Sequence, residues 1–593
     1  MKESVIYTEK NNCQDCYKCI KACPVKSIKM DGHSASVLFE TCIYCGRCVR
    51  TCPVGAKKYR DDLSRVQHWI ESGEKVVACL APTFVTDFSY MTTEQLVKAL
   101  YKLGFAAVSE TAIGADIVAH QTNLWLEKQD SGVYISSACP AVVNYMHIYM
   151  PEALEHLSPI VSPMVAHARL LRKTYFPDAK IVFIGPCIAK KDEKDYHNDV
   201  LDAAVTFQNL KRWFDDERVE LYPFHSIQIP NDFIVGRPGV GDLFPIDGGM
   251  LTTMCKTMKV AETDYMTFSG MEQVIDICKE IGHWKEKGKL FLELMACTGG
   301  CIKGPAMINH DGVAAKRKAM IEMHGQLQKS KMNYKPLPIP EGINWINKEF
   351  VRPYKFICKY SEEDIQEALH SIGKWSPKDE LNCTGCGYDS CRALAEAMLD
   401  GKAHREMCVS CMRKEAQDKA SVLLQKMPYG VVTVDDNLKV VEANRKFAEI
   451  MGDDLLEVYE TVPGLKGVDL KSAVPFYSFF EAVLESGGDV IEHDIRDGDN
   501  FYHLSLMTIQ QHKIVCGIIQ NLREPEMQKE LMIDRIREVI KQNMDSVQRI
   551  AYLLGENASF TESMLNSIVD SQDSRENKDT AKAMGLMGEE KSH

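Results

Sequence analysis

The first sixty residues contain two copies of one short cysteine spacing, which accounts for eight of the chain's 22 cysteines. The first copy, C-x2-C-x2-C-x3-C-P, consists of Cys13, Cys16, Cys19 and Cys23. The second copy consists of Cys42, Cys45, Cys48 and Cys52. This spacing lets thiolates from one tight loop bind three corners of a [4Fe–4S] cube, while the fourth ligand of each cluster comes from the other repeat. The segment is therefore predicted to fold around two interlocked clusters.

Each cluster is predicted to take three ligands from one repeat and one from the other. The two ligand sets are Cys13, Cys16, Cys19 with Cys52, and Cys42, Cys45, Cys48 with Cys23. Over residues 1–60 the pattern resembles a bacterial two-[4Fe–4S] ferredoxin, with a strand–turn–strand segment at 27–39 between the repeats. The alternative, a pair of zinc sites, would need groups of four cysteines without the shared three-plus-one pattern.

Bulk composition argues against several classes of protein. A net charge of −13 gives no electrostatic support for binding nucleic acid. The longest apolar stretches are far shorter than the ~20 residues that span a membrane. The N-terminus has no basic start followed by an apolar core, so no secretory signal is expected. Short metal-ligand spacings in a long chain also argue against a disulfide framework. We therefore expect a protein of the reducing cytoplasm.

The sequence changes character several times, and the expected fold class is multidomain, with both α+β and α/β domains. In chain order the expected parts are a ferredoxin-like domain (1–60), a helical linker (61–73), an α/β domain (74–355), a small helical iron–sulfur domain (360–415), an α+β domain (420–525), a C-terminal helix (526–570) and a disordered tail (571–593).

Three separated segments of the α/β region carry further cysteines. They are SSACPA with Cys139, GPCIAKKDE with Cys187, and LMACTGGC with Cys297 and Cys301. Each lies at the end of an apolar strand or in a glycine-rich turn, and ligands of open α/β sheets gather where strands end. Gly299 and Gly300 would let the backbone approach a bulky inorganic ligand. A lone cysteine is most often a core residue, which is the interpretation given to Cys79, Cys255, Cys278, Cys358 and Cys516.

In this order, the three segments resemble the signature loops of [FeFe]-hydrogenases over about residues 75–310. The resemblance implies an α/β iron-hydrogenase domain in which Cys139, Cys187, Cys297 and Cys301 hold the [4Fe–4S] part of an H-cluster. Cys301 would bridge to a two-iron subsite that carries CO, cyanide and a dithiolate amine. The implied reaction is reversible splitting of H2 into two protons and two electrons, which also implies hydrogenase maturation factors and a redox partner such as ferredoxin.

Other positions match this family one at a time. Lys190 matches a lysine that donates to a cyanide ligand, Pro82 and Thr83 match a Pro-Ser pair beside the other cyanide, and Met295 matches a methionine packed on the subsite. A buried ammonium beside an anionic ligand is physically reasonable, because each offsets the other's desolvation. The alternatives are a solvated surface lysine at 190 and an ordinary core residue at 295.

The sequence departs from the family where protons would leave the site. Ala138 replaces a cysteine that relays protons between the amine and solvent. Ser158 keeps a relay hydroxyl, and Glu193 keeps a carboxylate in the second loop. The remaining departures are Thr122 and Trp125 for two relay carboxylates, Gly185 for methionine and Met164 for glutamine. A positioned acid or base is worth roughly 10²–10⁴-fold in rate, so we expect slow turnover and an accumulating hydrogen-dependent redox state.

A third cysteine group has the spacing C-x2-C-x4-C-x16-C. Its members are Cys383, Cys386, Cys391 and Cys408, with Cys411 as a spare. The group resembles a small one-cluster [4Fe–4S] domain found beside electron-transfer and corrinoid proteins, and the segment RALAEAMLDGKA fits the helix between its third and fourth ligands. A structural zinc site is the rival, because four thiolates suit either metal.

Residues 420–525 resemble a PAS domain. The stretch MPYGVVTVDDNLKVVEANRKFAEIMG predicts strand, turn, strand and helix, with Asn444 at the family's common asparagine, and three antiparallel strands follow. Beyond them an apolar position recurs every seven residues at Ile533, Ile540, Val547 and Leu554, with Ile536, Asn543, Ile550 and Asn557 between. This repeat favours a coiled coil and a homodimer through 526–557; the alternative is an amphipathic helix packed on its own domain.

The whole domain order resembles the sensory [FeFe]-hydrogenases. It implies that H2 or cellular redox state is detected at the H-cluster, that electrons pass through the accessory clusters, and that a separate signalling partner, a kinase or phosphatase, receives the output. One rival is an ordinary ferredoxin-linked catalytic hydrogenase. Another is a hydrogenase-like protein without the two-iron subsite, acting in electron transfer or cluster assembly; the retention of Lys190, Pro82 and Thr83 argues against it.

Overall fold

The computed structural model describes residues 4–219, 232–284, 287–330, 339–346, 360–488, 490–498 and 500–521. The chain forms two compact units, Met1–Arg405 and Glu406–His593. The predicted C-terminal helix with its heptad repeat, the predicted tail and Cys358 lie outside the described residues. Within the described ranges, no helix has both the length and the apolar character needed to cross a membrane.

The first unit begins with two cysteine loops held between short strands and helices. Its elements are β1 (Ile6–Thr8), α1 (Lys18–Ala22), β2 (Ile28–Asp31), β3 (Ser34–Val37), α2 (Arg47–Thr51) and β4 (Lys57–Tyr59). β1 pairs with β4 and β2 pairs with β3, both antiparallel, which confirms the predicted strand–turn–strand segment. Each short helix contains the third cysteine of its repeat and ends at the fourth, Cys23 or Cys52. The helix thus separates the third and fourth thiols, as the three-plus-one pattern requires.

A connector helix, α3 (Leu63–Glu71), leads into the α/β part of the unit. The strands here are β5 (Val76–Leu80), β6 (Ala107–Glu110), β7 (Gly132–Ile135), β8 (Lys180–Gly185), β9 (Ala203–Thr206), β10 (Thr263–Ser269) and β11 (Lys289–Met295). The helices are α4 (Phe84–Asp87), α5 (Thr93–Lys102), α6 (Ala112–Glu127), α7 (Pro140–Tyr149), α8 (Pro163–Leu170), α9 (Ala189–Tyr196), α10 (Phe207–Asp216), α11 (Gly249–Thr257), α12 (Met271–Glu280) and α13 (Val313–Ser330).

These strands form two parallel sheets. One has the order β6-β5-β8-β9 and the other the order β10-β11-β7. All pairings are parallel, and β5 and β8 are buried almost throughout, as expected when helices cover both faces of a sheet. The carboxyl ends of β5, β7, β8 and β11 are followed directly by the segments with Thr83, Cys139, Cys187 and Cys297. The predicted site segments therefore come from two sheets.

The isolated cysteines test the prediction that each is a core residue. Cys79, Cys278 and Cys516 are buried, which confirms it for them. Cys255 is exposed, so the prediction for this residue is wrong. The reason is helical periodicity: on α11 the neighbouring Leu251 and Met254 face the core, and Cys255 follows about 100° further around the helix.

The first unit ends with two helices, α14 (Glu362–Ser371) and α15 (Cys391–Leu399). α15 begins at Cys391, where the Ser390 hydroxyl accepts a hydrogen bond from the backbone of Ala393, and it confirms the helix predicted after the third cysteine of this group. The backbone N–H of Met30 in β2 donates to the carbonyl of Lys402 at 2.9 Å. This small helical part is thus attached to the cysteine-loop part of the same unit.

The second unit contains an antiparallel sheet with helices inserted after its second strand. Its elements are α16 (Val409–Lys426), β12 (Gly430–Asp435), β13 (Val440–Ala443), α17 (Arg445–Met451), α18 (Asp453–Thr461), α19 (Leu470–Ala473), α20 (Tyr477–Ser486), β14 (Val490–Asp497), β15 (Asn500–Gln510) and β16 (Ile514–Asn521). The sheet order is β13-β12-β16-β15-β14. The strand, turn, strand, helix and three-strand run predicted from the sequence is confirmed.

Asn444 is fully buried where three of these elements meet. Its side-chain oxygen accepts from the backbone of Val431 and Phe447, and its amide donates to the carbonyls of Leu424 and Tyr429. One side chain therefore caps α17 and joins it to β12 and the end of α16. These four bonds give a structural reason for an asparagine at this position.

A buried ion pair joins the connector to α9. Lys191 lies 2.9 Å from Asp62, and both side chains are almost completely buried. Burial alone would raise the pKa of Asp62, but Lys191 and Arg60 together hold it below the usual value. The pair fixes α9, the helix that also carries Lys190, against the entry to the domain.

Lys191→Met is predicted to lower the free energy of unfolding by about 3 kcal/mol, because it leaves Asp62 buried with one cation fewer. The measurement is urea denaturation of the full chain followed by tryptophan fluorescence. Lys318→Met is the matched control: Lys318 is exposed, 3.5 Å from Glu322, and pairs of this kind contribute only about 0.3–0.5 kcal/mol. Equal losses in the two variants would contradict the stabilising role of the buried pair.

Candidate metal centre

A cavity of about 130 Å³ lies where the four strand ends of the α/β part converge. Its walls are formed by the segments that follow β5, β7, β8 and β11. They include Pro82, Thr83, Ala138, Cys139, Cys187, Lys190, Met295, Cys297 and Cys301. The structure therefore brings together all four cysteines of the separated segments and five of the other predicted site residues.

Local structure positions each thiol. Cys139 is the residue before α7, and Pro140, which cannot donate a backbone hydrogen bond, starts that helix. Cys187 lies in the turn between β8 and α9. Gly300, with φ of +90°, precedes a short 3-10 helix that starts at Cys301. The thiols are thus presented by rigid element ends rather than by long loops.

The chemistry of these thiols fits a buried iron–sulfur cofactor. Burial, and after it the neighbouring thiols, raise the pKa of Cys187 to about 11 and that of Cys297 well above the usual value. Burial also raises the pKa of Cys301. Crowded thiols in a dry cavity stay protonated until a cationic metal centre replaces their protons. Thr83 Oγ1 is buried and has no hydrogen-bond partner among the described residues, which leaves a free donor at the wall.

Lys190 is buried and lines the cavity. It donates to Ser162 Oγ at 2.9 Å and to Glu193 Oε2 at 2.7 Å. This geometry excludes the alternative of a solvated surface lysine. Glu193 does not line the cavity. Its carboxylate balances the positive charge of Lys190.

The predicted relay positions are mostly separated from the cavity. Ala138 lines it and presents only a methyl group. Ser158 is buried outside the cavity wall, and its hydroxyl accepts from the backbone of Ile160 at 3.4 Å. Thr122 is buried in α6, and Trp125 packs edge-on against Tyr134. The structure therefore does not bring Ser158, Thr122 or Trp125 together with Ala138.

Two of the predicted departures can be located in the structure. Met164 lies in the cavity wall. Gly185 is at the end of β8, where an added Cβ would lie 2.7 Å from the ring of Phe183 and 2.9 Å from the Cβ of Ala81. A larger residue at 185 would therefore require these two side chains to shift.

Gly299 and Gly300 are also required by the local fold. Both have positive φ, and neither lines the cavity. A Cβ on Gly299 would lie 2.7 Å from Val313, and one on Gly300 would meet the carbonyl of Pro245. The turn and the packing therefore explain these glycines, and their approach to an inorganic ligand stays a prediction.

Glu293 is a cavity residue that sequence reasoning missed. It lies in β11, is buried, and accepts a hydrogen bond from the backbone of Met250 at 3.2 Å. Burial raises its pKa to about 7, and the hydrogen bond from the backbone of Met250 offsets only part of this effect. The sequence signal that could have identified it is a single carboxylate within the apolar strand LFLELM. Charged residues are rarely buried unless they have a function or a partner.

The ferredoxin-like cysteines form two neighbourhoods. Burial raises the pKa of Cys45 to about 12, and the next largest contribution comes from Cys23; Cys23 also acts on Cys42 and Cys48. Cys19 instead has Cys13 and Cys16 as neighbouring thiols. Backbone N–H groups donate to Cys23 Sγ from Ser27 at 3.3 Å and to Cys52 Sγ from Ala56 at 3.2 Å. The placement of Cys23 beside the second repeat agrees with the predicted exchange of the fourth ligand.

The second of these neighbourhoods adjoins the cavity. Cys45 lines the cavity wall together with Cys139 and Cys297, and after burial and other thiols it contributes to the raised pKa of Cys297. Gly46 packs so tightly that an added Cβ would lie 2.5 Å from Pro305. Arg47 forms a hydrogen bond with Glu272 at 2.8 Å. Within the described residues no three Cys, His, Asp or Glu side chains converge on a single metal ion, whereas a [4Fe–4S] cube places its ligands at separate corners.

The third cysteine group is divided between the two units. Cys383, Cys386 and Cys391 belong to the first unit. In the second unit, Cys408 is the residue that precedes α16, and Cys411 lies within that helix with its thiol 3.8 Å from Glu415.

The comparisons with known proteins agree with this site. Residues 74–305 match the family model described as "Iron only hydrogenase large subunit, C-terminal domain". The chain contains an iron-only hydrogenase-like domain. Residues 5–72 match a "4Fe-4S dicluster domain", and residues 379–410 match a model for an Fe-S cluster. Iron–sulfur domains therefore lie on both sides of the hydrogenase-like domain in the sequence.

Curated relatives share this domain at low identity. Iron hydrogenase 1 of Clostridium pasteurianum is 27% identical over 304 residues, covering 41% of this chain and 52% of that protein. The periplasmic [Fe] hydrogenase large subunit of Nitratidesulfovibrio vulgaris is 26% identical, covering 38% and 65%. The NADP-reducing hydrogenase subunit HndD of Solidesulfovibrio fructosivorans is 24% identical, covering 47% and 55%. The chain thus spans between about half and two thirds of the length of these relatives.

Among solved structures, a variant of [FeFe]-hydrogenase HydA1 from Chlamydomonas reinhardtii is similar at 17% identity and a TM-score of 0.36, covering 50% of this chain and 97% of that one. The PAS domain of an HTR-like protein from Haloarcula marismortui is similar at 14% identity and a TM-score of 0.15, covering 18% and 99%.

Cys297→Ser is predicted to remove about four iron atoms per chain, because one corner ligand of the cavity cluster is lost. The measurement is the iron content of protein reconstituted anaerobically with iron and sulfide. Cys255→Ser, at an exposed thiol outside the cysteine groups, is the control and should retain full iron. Full iron in Cys297→Ser would contradict the assignment of this thiol as a ligand.

Proposed function

We propose that the hydrogenase-like domain splits H2 reversibly but slowly at an H-cluster, and that the chain uses the resulting redox state as a signal. The observation that carries the proposal is the cavity itself. It combines four cysteines that line one wall with Lys190 and a buried Thr83 hydroxyl that has no hydrogen-bond partner among the described residues, and it presents only a methyl group at position 138. The residues expected to bind the cofactor are retained, whereas the cysteine expected to carry protons at position 138 is not.

Each retained residue has a role in holding such a cofactor. Cys139, Cys187, Cys297 and Cys301 would be its protein ligands. When bound, the cofactor supplies the iron that takes up H2 and the acceptor for two electrons. Lys190 and Thr83 would donate to its anionic cyanide groups, and these hydrogen bonds replace the water that the groups lose on burial. The paired Glu193 keeps the Lys190 site close to neutral before the cofactor enters.

Electrons would leave through the ferredoxin-like part. Cys45 lines the cavity and belongs to the predicted ligand set completed by Cys23, so the cluster on this set would lie directly beside the H-cluster. The cluster on Cys13, Cys16, Cys19 and Cys52 would then exchange electrons with a redox partner such as ferredoxin. Loading of the site would require hydrogenase maturation factors.

The second unit would report the redox state. Its antiparallel sheet with helices after the second strand is compatible with the PAS resemblance. We propose that it passes a conformational change through the residues beyond 521, including a homodimer through 526–557, to a kinase or phosphatase in the cytoplasm. A signalling role of this kind needs a persistent redox state more than a high rate.

Two other functions compete with this proposal. An ordinary ferredoxin-linked hydrogenase would need an efficient proton carrier, which Ala138 does not provide. An iron–sulfur protein without the two-iron subsite would have no use for Lys190 and Thr83 at a cavity wall, where each carries a desolvation cost.

Infrared spectroscopy of the matured protein is the decisive test. We expect bands of CO and CN⁻, and we expect Cys301→Ser to lose them because this thiol would bridge to the two-iron subsite. The exposed control Cys255→Ser should keep them. A matured wild-type protein without these bands would rule out both hydrogenase functions and leave the iron–sulfur alternative.

Proton transfer is tested by two substitutions. Ala138→Cys is predicted to raise hydrogen turnover by roughly 10²-fold, because it restores a positioned acid and base. Glu293→Gln tests whether the residual activity uses the buried carboxylate, whose pKa is raised by burial to about 7. Glu293 is protonated below this pH and ionised above it, so a change in rate near pH 7 should disappear in Glu293→Gln.

Unchanged turnover in Ala138→Cys, in protein with normal infrared bands, would show that the missing cysteine does not limit the rate. If turnover is unchanged in Ala138→Cys and activity is lost completely in Glu293→Gln, proton transfer is assigned to the carboxylate of Glu293. Rates are measured as H2 oxidation with an artificial dye as electron acceptor.

A further inference from the structure

The third cysteine group packs directly on the first cysteine loop within the first unit. Lys26 donates to the carbonyl of Gly387 at 3.0 Å and forms an ion pair with Asp389 at 3.3 Å. Gly387 has φ of +87°, and an added Cβ would lie 3.1 Å from both the Ile20 side chain and the Lys21 backbone. The segment 386–389 therefore contacts α1, the helix that ends at Cys23, with no space between the two backbones for a larger residue.

Tyr388 lies at the centre of this contact. Its side chain is 2% exposed, and its hydroxyl finds no hydrogen-bond partner among the residues that the structure describes. Burial raises the pKa of the hydroxyl, and the thiol of Cys386, the carboxylate of Asp400 and the thiol of Cys23 add to this effect. The phenol thus lies near one predicted ligand of the third cluster and one predicted ligand of the ferredoxin-like cluster.

A buried hydroxyl without a partner is unfavourable, so a partner is expected once the clusters are in place. The sulfur atoms of an iron–sulfur cluster accept hydrogen bonds from protein donors, and such bonds influence the reduction potential. With thiols on both sides, the residues around Tyr388 fit a cluster sulfur as the missing acceptor. The match of residues 379–410 to an Fe-S cluster model supports a cluster at this position.

We propose that Tyr388 is a positioning residue at an electron-transfer junction, where the cluster on Cys23, Cys42, Cys45 and Cys48 exchanges electrons with the cluster that uses Cys383, Cys386 and Cys391. The ferredoxin-like cluster is then a branch point. On one side Cys45 adjoins the cavity with Cys139 and Cys297; on the other, Cys23 adjoins Tyr388. The remaining cluster, on Cys13, Cys16, Cys19 and Cys52, is a separate exit.

The step at this junction is the transfer of one electron. The reduced ferredoxin-like cluster returns from [4Fe–4S]⁺ to [4Fe–4S]²⁺, and the third cluster changes from [4Fe–4S]²⁺ to [4Fe–4S]⁺, with no bond made or broken. The inference rests on the proposed function only for the origin of the electrons, which would be H2. A low-potential reductant such as dithionite supplies the same electrons in the test.

The experiment uses the full chain reconstituted with iron and sulfide but without the two-iron subsite, so that its outcome does not depend on hydrogen chemistry. Electron paramagnetic resonance is recorded during reduction with dithionite. Tyr388→Phe is expected to keep its iron and to shift the midpoint potential of a cluster to a more negative value, because a hydrogen bond that favours the reduced, more negative cluster is lost.

Tyr149→Phe is the matched control. Tyr149 also lies near Cys23 and Cys42, but its hydroxyl already donates to the carbonyl of Thr41 at 2.7 Å. This variant should leave the potential of the third cluster unchanged. Wild-type potentials in Tyr388→Phe, at full iron content, would overturn the role of the tyrosine.

A second measurement does not depend on that variant. In fully reduced wild-type protein, spin–spin interaction with the third cluster should add to the broadening of the ferredoxin-like signals, and Cys386→Ser should remove this added part while the ferredoxin-like signals remain. Equal broadening in the reduced wild-type protein and in Cys386→Ser would overturn the junction. If the matured protein lacked the infrared bands of CO and CN⁻ while the reconstituted protein showed the broadening, the proposed function would fail and the junction would stand.

Discussion

The removal of cysteine thiols from water is the constraint on which this structure depends. Thiols at the carboxyl ends of two parallel sheets are crowded together, and burial raises the pKa of Cys187, Cys297 and Cys301. Ionising such thiols without a nearby cation is costly, so the residues of this cavity fit a metal cofactor that supplies the cation. The same condition applies to Cys42, Cys45 and Cys48 beside the cavity.

Two adjacent lysines on α9 show how the site is held in place. Lys190 lines the cavity and is balanced by Glu193, while Lys191 is balanced by Asp62 at the start of the connector. Successive residues on a helix are turned by about 100°, so one short helix can serve both the cofactor and the entry to the domain.

Several elements could be predicted from the sequence because their signals are local. The cysteine repeat, the strand–turn–strand between its copies and the buried strands β5 and β8 all follow from short-range spacing or from apolar runs. The Asn444 cap is likewise formed mostly by residues within twenty positions in the sequence. The prediction for Cys255 failed although the deciding signal, its phase on α11, is local. The packing of Gly299 and Gly300 against Val313 and Pro245 instead depends on more distant parts of the chain.

The sequence by itself determined which side chains can bind metal and which expected proton carrier is missing, because ligand spacing and residue type are chemical facts that need no fold. Only the tertiary structure decided that the four separated cysteines face one cavity from two sheets, that Glu293 shares it, and that Tyr388 lies beside Cys23. These neighbours are far apart in the chain, and they meet because parallel strands end at a common edge and because close packing leaves each backbone only one place to fit.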